Sequence, residues 1–551
     1  MESLGTHQND HVEIDKKAEG ENHKLKEMEN EIRWLLENEC LEESELLELI
    51  DDVHRLGLGY KFRKHTEKAI RSLLISIPSW QANHKIIHDL HDCALCFRLA
   101  RQLGLSISAD IFERFKDSNG DFKETLATDI RGMLSLHEAS YLGFDGESIL
   151  EEAREFTGFH LDNIMLMSMD TKSAIRVSHA LELPFHYRMQ RLEARWNIEM
   201  YDGKNELLHH LAIMDFNMVQ SVHQHELQQL SRWWREVGLA NKLSFARDRL
   251  MESFMWTVGM VPQPQFGKCR VGLTKVVNLI TVLDDIYDVY ASPQDLQHLT
   301  HAVHRWDVNS VDHLPDYMKI FFLALYNTVN ELAYDTLKEH DQVVISQLRQ
   351  VWADLCDAFL KEAKWRHNNH IPKFDEYLNH GWVSSSGAVL LTHAYFLVTQ
   401  NVTDEAIKHF SAYGNNLMRS PCTIFRLAND LSSSQEDGER GEVAKAVSCY
   451  MNETGSLVAD AHGTARGFSI CWTKGMGVNL IAEVVSLDGV RPTMGCWRAS
   501  GQCAWGSSGG RNKNMDSRDN FNGDFSQFIF RVLGGKFFNK HSKNHAQWRP
   551  K

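Results

Sequence analysis

The segment ENEIRWLLENECLEESELLELIDDVHRLGL, residues 29–58, decides the fold class. Its apolar side chains recur at the helical spacing of i, i+3, i+4 and i+7, as at Leu46, Leu49, Ile50 and Val53. The same spacing returns in four further segments, residues 94–105, 148–156, 343–365 and 388–398. Alternating strand patterns are rare before residue 455. The sequence therefore predicts an all-α protein with many helices of ordinary length.

The composition excludes several classes of protein. Asp and Glu number 74 against 59 Lys and Arg in the 551 residues, which gives a net charge of −15. Nucleic-acid-binding proteins present a basic face, so no nucleic-acid partner is expected. No apolar run of about 18 residues is present, so no membrane span is predicted. Ten irregularly spaced cysteines indicate reduced thiols in an intracellular protein.

The chain divides into regions of different pattern, with a domain boundary predicted near residues 215–228. The predicted regions are a disordered leader at 1–23, an N-terminal helical domain at 24–215, a C-terminal helical domain at 225–455 and an atypical tail at 456–551. The stretch 455–551 holds 14 of the 34 glycines, and from residue 456 onward 13 Lys and Arg stand against 6 Asp and Glu. This tail is either a flexible basic segment or a terminus replaced by a frame shift or mis-splicing.

The strongest chemical signal is an acidic cluster in VVNLITVLDDIYDVY, residues 276–290. An apolar helical run ends there in Asp284, Asp285 and Asp288, and the spacing of i and i+4 places Asp284 and Asp288 on one helix face. Carboxylate oxygens are preferred ligands of Mg²⁺, which substrate phosphates complete. Solvated acids at a helix end are the alternative, but apolar neighbours on every side favour a metal site at the rim of a cavity.

A second oxygen-rich pattern lies in NDLSSSQED, residues 429–437. Asn429, Ser433 and Asp437 fall at i, i+4 and i+8, so their side-chain oxygens share one helix face. An amide, a hydroxyl and a carboxylate form a hard-cation site of low charge. Alone the pattern is weak, because it also fits a helix cap or turn. Its pairing with the acidic cluster favours a second metal site.

Three arginines accompany these motifs. Arg247 and Arg249 lie in SFARDRLMESFMW, and Arg426 precedes Asn429 by three residues. A guanidinium is always charged and presents a planar fork to phosphate oxygens. Each alone reads as a surface or salt-bridge residue, but with two metal motifs they indicate a diphosphate clamp.

A zinc site at HDLHDCALC is the less favoured reading of a third cluster. His88, His91, Cys93 and Cys96 loosely fit zinc spacing. The two cysteines lie within a helical pattern, which favours buried reduced thiols.

These motifs together resemble the plant terpene synthase family. DDIYD matches its aspartate-rich motif, NDLSSSQED its second metal motif, and RDR at Arg247–Arg249 its Arg-x-Arg element. N-terminal stretches such as LSLHEASYLGFDGESILEEAREF and LPFHYRMQRLEARW match as well. The resemblance covers roughly residues 25–455. Asp437 stands where the family usually has Glu.

The resemblance implies an N-terminal α-barrel-like domain and a C-terminal class I terpenoid synthase helical bundle. It implies three Mg²⁺ (or Mn²⁺), with Asp284, Asp285 and Asp288 on one side and Asn429, Ser433 and Asp437 on the other. Arg247, Arg249 and Arg426 would bind the diphosphate, together with Asp284, Asp288 and Asn429. Trp256 would lie in the cavity, with core packing as its alternative. Ser384–Gly387 would break a cavity helix and expose carbonyls to the allylic cation.

The product and the location follow from departures from the family pattern. The tandem-Arg and Trp signature of cyclising monoterpene synthases is absent, which favours an acyclic product such as linalool, ocimene or myrcene, or a truncated start. No plastid leader is seen, so a cytoplasmic location is expected, or a plastid if the true N-terminus is longer. The family pattern stops near Gly455, where closing helices are expected.

The expected activity is a carbon–oxygen lyase reaction on geranyl diphosphate, with a monomer expected. Farnesyl diphosphate is the alternative substrate. A non-catalytic homologue, impaired by its altered C-terminus, is the alternative of another class.

Overall fold

The computed structural model describes residues 23–37, 41–76, 89–144, 146–165, 171–203, 205–399, 402, 416–439 and 445–455. The predicted tail and nearly all of the predicted leader lie outside the described residues. The chain forms two compact units, residues 1–232 with 254–271 and residues 233–253 with 272–551.

Helices dominate the described residues. They are α1 (23–37), α2 (Glu43–Arg55), α3 (Gly59–Ser76), α4 (Leu90–Gln102), α5 (Ile130–Ser140), α6 (Ser148–Met165), α7 (Thr171–Glu182), α8 (Gln190–Met200), α9 (Glu206–Val237), α10 (Leu239–Lys242), α11 (Leu250–Met260), α12 (Gly267–Asp285), α13 (Pro293–Arg305), α14 (Asp316–His340), α15 (Ile345–His367), α16 (Phe374–Ser384), α17 (Gly387–Val398), α18 (Asn416–Glu439) and α19 (Ala446–Thr454). Across these residues the only β pairing is an isolated bridge between Lys116 and Phe122. The all-α prediction is confirmed.

The domain limits stay a prediction. The interval 215–228 lies within α9, which continues to Val237 as one helix. No helix in the described part of the chain is both long and apolar enough to cross a membrane.

The first unit is built around α4, which is buried over nearly its whole length. Helices α2 and α5 pack against it, and α2 buries Leu49, Ile50 and Val53 as its spacing predicts. Leu47 is buried as well, whereas the predicted Leu46 is partly buried against the same core. Cys93 and Cys96 lie in this core, and burial raises the pKa of the Cys96 thiol to about 12. His91 contacts Ser135 instead, at 2.8 Å between ring nitrogen and hydroxyl. The buried-thiol interpretation is therefore confirmed; His88 lies outside the described residues.

The second unit has α15 at its centre. Leu348, Val351, Trp352, Leu355 and Phe359 are buried along this helix. It packs against α13, α14, α16, α17 and the turn that follows α12. Helix α16 packs in turn against α18. Helices α15 and α16 thus form the structural link between the element that carries Asp284 and the element that carries Asn429.

The predicted helix break is present between α16 and α17. Ser386 has a left-handed backbone (φ 65°), which a non-glycine residue rarely adopts. The Ser385 hydroxyl donates to the Trp382 carbonyl (2.8 Å) and accepts from the Gly387 amide (3.2 Å). Serine side chains therefore replace regular backbone hydrogen bonds, which confirms the interruption. The break is buried, and Ser384 also donates to Glu362 on α15 (2.5 Å).

Candidate metal and diphosphate site

The acidic motif lies where α12 changes into a π-helical turn, Ile286–Tyr290. The Ala291 amide closes this turn on the Ile286 carbonyl at 3.1 Å, an i→i−5 bond. Such turns are rare and are frequent at functional sites. The Asp284 and Asp288 side chains are 29% and 26% exposed, whereas Asp285 is buried. The negative end of the α12 dipole adds to the carboxylate charge, so this helix end attracts cations.

Arg247 holds the first two aspartates. Its Nη2 donates to Asp284 Oδ2 at 2.7 Å, and its Nε lies 2.7 Å from Asp285 Oδ1. Its backbone amide donates to Asp285 Oδ2 at 2.8 Å. Burial acts to lower the pKa of Arg247, but the two carboxylates outweigh burial and raise that pKa above its ordinary value. Arg247 is therefore a fixed positive charge, and it occupies both oxygens of Asp285.

The third aspartate and its turn are held by α15. Arg366 donates from Nη1 to the Asp288 carbonyl (2.7 Å) and from Nη2 to the Tyr287 carbonyl (3.1 Å). Its Nη2 also lies 3.3 Å from Asp288 Oδ1. The Tyr287 hydroxyl lies 2.8 Å from the Thr300 hydroxyl on α13, and the Tyr287 ring packs on Phe359 at 5.7 Å between ring centroids.

The Arg-x-Arg element occupies the loop between α10 and α11. Trp234 donates to Asp248 (3.0 Å), the residue between the two arginines, and Arg249 donates to Glu252 (3.0 Å). Phe245 stacks on Tyr290 of the π turn with ring centroids 4.0 Å apart. The stack on Tyr290 and the bonds from Arg247 to Asp284 and Asp285 thus tie this loop to the acidic motif. Trp256 lies partly buried on α11, and its predicted role stays a prediction.

The second motif lies on α18, where Arg426 contacts both of its first two residues. Its Nη2 donates to Asn429 Oδ1 and lies 2.9 Å from Asp430 Oδ1. Asp430 is fully buried, and its Oδ2 accepts from the Tyr377 hydroxyl of α16 and from the Ala446 amide at the start of α19 (2.9 Å). Asp430 therefore fastens three helices beneath Asn429.

Helix α16 has a glycine where α18 passes. A Cβ at Gly381 would lie 2.9 Å from Arg426 Cγ. The absence of a side chain at Gly381 therefore leaves room for the Arg426 side chain. Ser433 and Asp437 belong to α18, but their side chains lie outside the described residues.

The structure thus groups the predicted residues into two sets. Arg247 joins Asp284 and Asp285, and Arg426 joins Asn429, while the metal and diphosphate roles of all the predicted residues stay predictions. Sequence reasoning missed Arg366, Tyr377 and Asp430. Asp430 carried one signal, because its position three residues after Leu427 indicates a buried face. Arg366 and Tyr377 carried none, since their partners lie 78 and 53 residues away.

The residues present fit a magnesium ion. In the described part of the chain no three His, Cys, Asp or Glu side chains form a cage. Magnesium does not need one, because it keeps several waters and takes one or two carboxylates together with substrate phosphates. Asp284 and Asp288 supply such a carboxylate pair.

Comparisons with known proteins agree with this helical architecture. The family model "Terpene synthase, N-terminal domain" matches residues 2–181, and "Terpene synthase family, metal binding domain" matches residues 235–468. A chloroplastic isoprene synthase of Pueraria montana var. lobata is 50% identical over 80% of this chain and 73% of its own length. The (−)-alpha-terpineol synthase of Vitis vinifera is 47% identical over 75% of this chain and 70% of its own length.

A solved structure is also similar. It is the isoprene synthase from grey poplar leaves in complex with three Mg²⁺ ions and dimethylallyl-S-thiolodiphosphate. Its TM-score is 0.80 with 44% identity, covering 84% of this chain and 90% of the poplar chain.

The fold and the matched metal-binding domain define an enzyme of two helical domains that acts on diphosphates with the help of metal ions. The chain belongs to the terpene synthase family. The predicted family, fold class, lyase activity and magnesium cofactor are confirmed at this level.

Proposed function

We propose that this chain is a magnesium-dependent terpene synthase that ionises geranyl diphosphate to an acyclic monoterpene or monoterpene alcohol. One observation carries the proposal. Two partly exposed carboxylates, Asp284 and Asp288, lie at the negative end of α12. Arg247, whose guanidinium is of a kind that binds phosphates, contacts Asp284. A divalent cation and a diphosphate anion are the ligands that this pairing of charges suits.

The chain's residues divide into ligands and supports in this proposal. Asp284 and Asp288 bind metal on one side, and Asn429, Ser433 and Asp437 bind it on the other, for three Mg²⁺ in all. Bound Mg²⁺ supplies the positive charge that stabilises the departing diphosphate. Arg249 and Arg426 would bind diphosphate oxygens, and Arg247 would join them by exchanging its contact with Asp284 for a diphosphate oxygen. Because Arg247 occupies both oxygens of Asp285, this aspartate orients Arg247 and adds negative charge near the metals.

The allylic cation left after ionisation needs a dry site with electron-rich groups. The break at Ser384–Gly387 suits such a site, because its residues are buried away from water and its backbone departs from regular helical hydrogen bonding. Trp256 supplies an aromatic face in the proposal.

A five-carbon substrate is the second candidate. Relatives that are 50% and 48% identical are isoprene synthases, and the poplar enzyme binds a dimethylallyl diphosphate analogue. Dimethylallyl diphosphate would then give isoprene. Other relatives, of 46–48% identity, are tricyclene, terpineol and thujene synthases, which form monoterpenes. Because of these relatives geranyl diphosphate stays the preferred substrate of the proposal.

The experiment incubates the full-length protein with dimethylallyl, geranyl or farnesyl diphosphate, with and without Mg²⁺. Diphosphate release and volatile products are measured by a coupled assay and by gas chromatography. We expect Mg²⁺-dependent release from geranyl diphosphate with an acyclic product, lost in Asp284→Ala. Asp312→Ala, an exposed aspartate of the same unit, is the matched control.

Each other outcome selects an alternative. Isoprene formed from dimethylallyl diphosphate would show that the five-carbon substrate is the right one. A sesquiterpene formed from farnesyl diphosphate would show that the alternative expected from the sequence is right. A folded, monodisperse protein that releases no diphosphate from any substrate is a non-catalytic homologue.

A plastid location is the better supported of the two expected locations. Several relatives carry "chloroplastic" in their names. A fluorescent fusion of the native coding sequence, imaged in leaf cells, tests this location. Size-exclusion chromatography with light scattering tests the predicted monomer.

A further inference from the structure

Arg366 lies outside both metal motifs, yet it contacts the turn that presents Asp288. It belongs to the last turn of α15, whereas the π turn follows α12, 78 residues earlier in the chain. Its shortest contacts are with main-chain carbonyls of Asp288 (2.7 Å) and Tyr287 (3.1 Å), and the contact with the Asp288 carboxylate is longer (3.3 Å). The guanidinium therefore binds the backbone of the turn first and the carboxylate second.

The backbone at this point needs such a partner. The last carbonyls of a helix have no partner within the helix, and an unpaired polar group away from water is costly. A planar guanidinium has several donors in a rigid fork, so it can bind two adjacent carbonyls at once. A lysine ammonium on a flexible stem holds two carbonyls in a less fixed geometry.

The other supports of the turn act on different residues. Tyr287 anchors the inner side through Thr300 and Phe359, and Phe245 stacks on Tyr290 at the far end. Asp288 itself points to partly exposed space, at 26% side-chain exposure. Arg366 contacts both the main chain and the carboxylate of Asp288.

We propose that Arg366 is a positioning residue for Asp288: it fixes the π turn and thereby the direction of the metal-binding carboxylate. This inference rests on the proposed function only for the identity of the ligand that Asp288 binds. Its positive charge acts against cation binding, so two effects of opposite sign are present. The backbone contacts are the shorter ones, so support of the turn outweighs repulsion of the cation.

Two variants separate support from charge. Arg366→Met removes both, whereas Arg366→Lys keeps the charge but loses the fork that spans two carbonyls. Lys364→Met, an exposed lysine in the same helical turn, is the control for loss of one positive charge. Hydrogen–deuterium exchange without added metal reports on peptides covering residues 286–292, and diphosphate release reports the half-saturating Mg²⁺ concentration.

In both Arg366 variants we expect several-fold faster exchange at 286–292, with exchange in α13 and α14 unchanged. The half-saturating Mg²⁺ concentration should rise about five- to tenfold, with Lys364→Met like the wild type. Exchange at 286–292 equal to the wild type in both variants overturns the proposal, as does tighter Mg²⁺ dependence in Arg366→Met. If the wild type releases no diphosphate at all, the proposed function fails while the exchange result still decides the role of Arg366.

Discussion

Arg247 is the residue at which the charges of the site meet. Its side chain lies 2.7 Å from oxygens of both Asp284 and Asp285. It therefore neutralises Asp285 together with Asp284, the carboxylate that a metal ion would also bind in the proposed function. A cation and Arg247 therefore compete for Asp284. The diphosphate offers Arg247 a new partner, so metal and diphosphate should bind best together.

This competition gives a prediction for Arg247→Met. Without substrate, Mg²⁺ should raise the melting temperature of this variant at several-fold lower concentration than it does for the wild type, because the competing guanidinium is gone. Diphosphate release should fall by about 10²- to 10³-fold, since a charge aimed at the leaving group is lost. Arg349→Met, on α15, is the control. An unchanged or weaker Mg²⁺ response would show that Arg247 does not compete with the metal.

At the scale of helices, the packing of α16 against α18 depends on one glycine. Gly381 leaves room for the stem of Arg426, and the head of Arg426 is held by Asn429 and Asp430. The stem therefore cannot move without moving the second metal motif.

We predict that Gly381→Ala lowers kcat about tenfold or more, because small displacements of positioning groups are costly to catalysis. The melting temperature should change little, since alanine favours a helix by about 1 kcal/mol over glycine and offsets part of the strain. Gly158→Ala on α6, where a Cβ meets no atom within 4 Å, is the matched control. Steady-state kinetics and calorimetry measure the two quantities. Wild-type kcat in Gly381→Ala would mean that Arg426 adjusts without consequence.

The whole molecule keeps several histidines buried and neutral. Burial lowers the pKa of His54, His137 and His393 to about 4 each. In His393 burial is the lowering cause, while the contact of Nδ1 with the Val389 carbonyl (2.8 Å) acts to raise the pKa; Nε2 accepts from Trp352 (3.4 Å). A proton on Nε2 would face the indole N–H. Asp52 acts in the opposite direction, since burial raises its pKa to about 6.

These pKa shifts predict how stability depends on pH. A group with a folded pKa below its unfolded value of about 6.5 stabilises above that pH and loses the contribution as pH falls toward about 4. The free energy of unfolding should therefore fall between pH 6.5 and pH 4 by roughly 1 to 3 kcal/mol for each buried histidine, and the melting temperature should fall with it. Calorimetry across this range measures it. His393→Gln should flatten the dependence, and the exposed His301→Gln should leave it unchanged. A melting temperature constant from pH 6.5 to 4 would contradict this prediction.

The sequence by itself determined the helical class and the chemical character of the site. Helical spacing at Leu46, Leu49, Ile50 and Val53 depends only on local geometry, so it survives without any knowledge of the fold. The acids of DDIYD could be recognised in the same way, whereas the break at Ser384–Gly387 is expected only from the resemblance to the terpene synthase family. Features that depend on residues close together in the chain can be predicted from the local sequence pattern.

The tertiary structure decided which side chains meet. Arg247 reaches Asp284 across 37 residues, Tyr377 reaches Asp430 across 53, and Arg366 reaches Asp288 across 78. It also decided that Asp285 is buried against Arg247 and that the acidic motif ends in a π turn, where the local pattern predicts a continuous α-helix. No periodicity encodes these contacts, because each joins residues far apart in the chain that only the tertiary packing brings together.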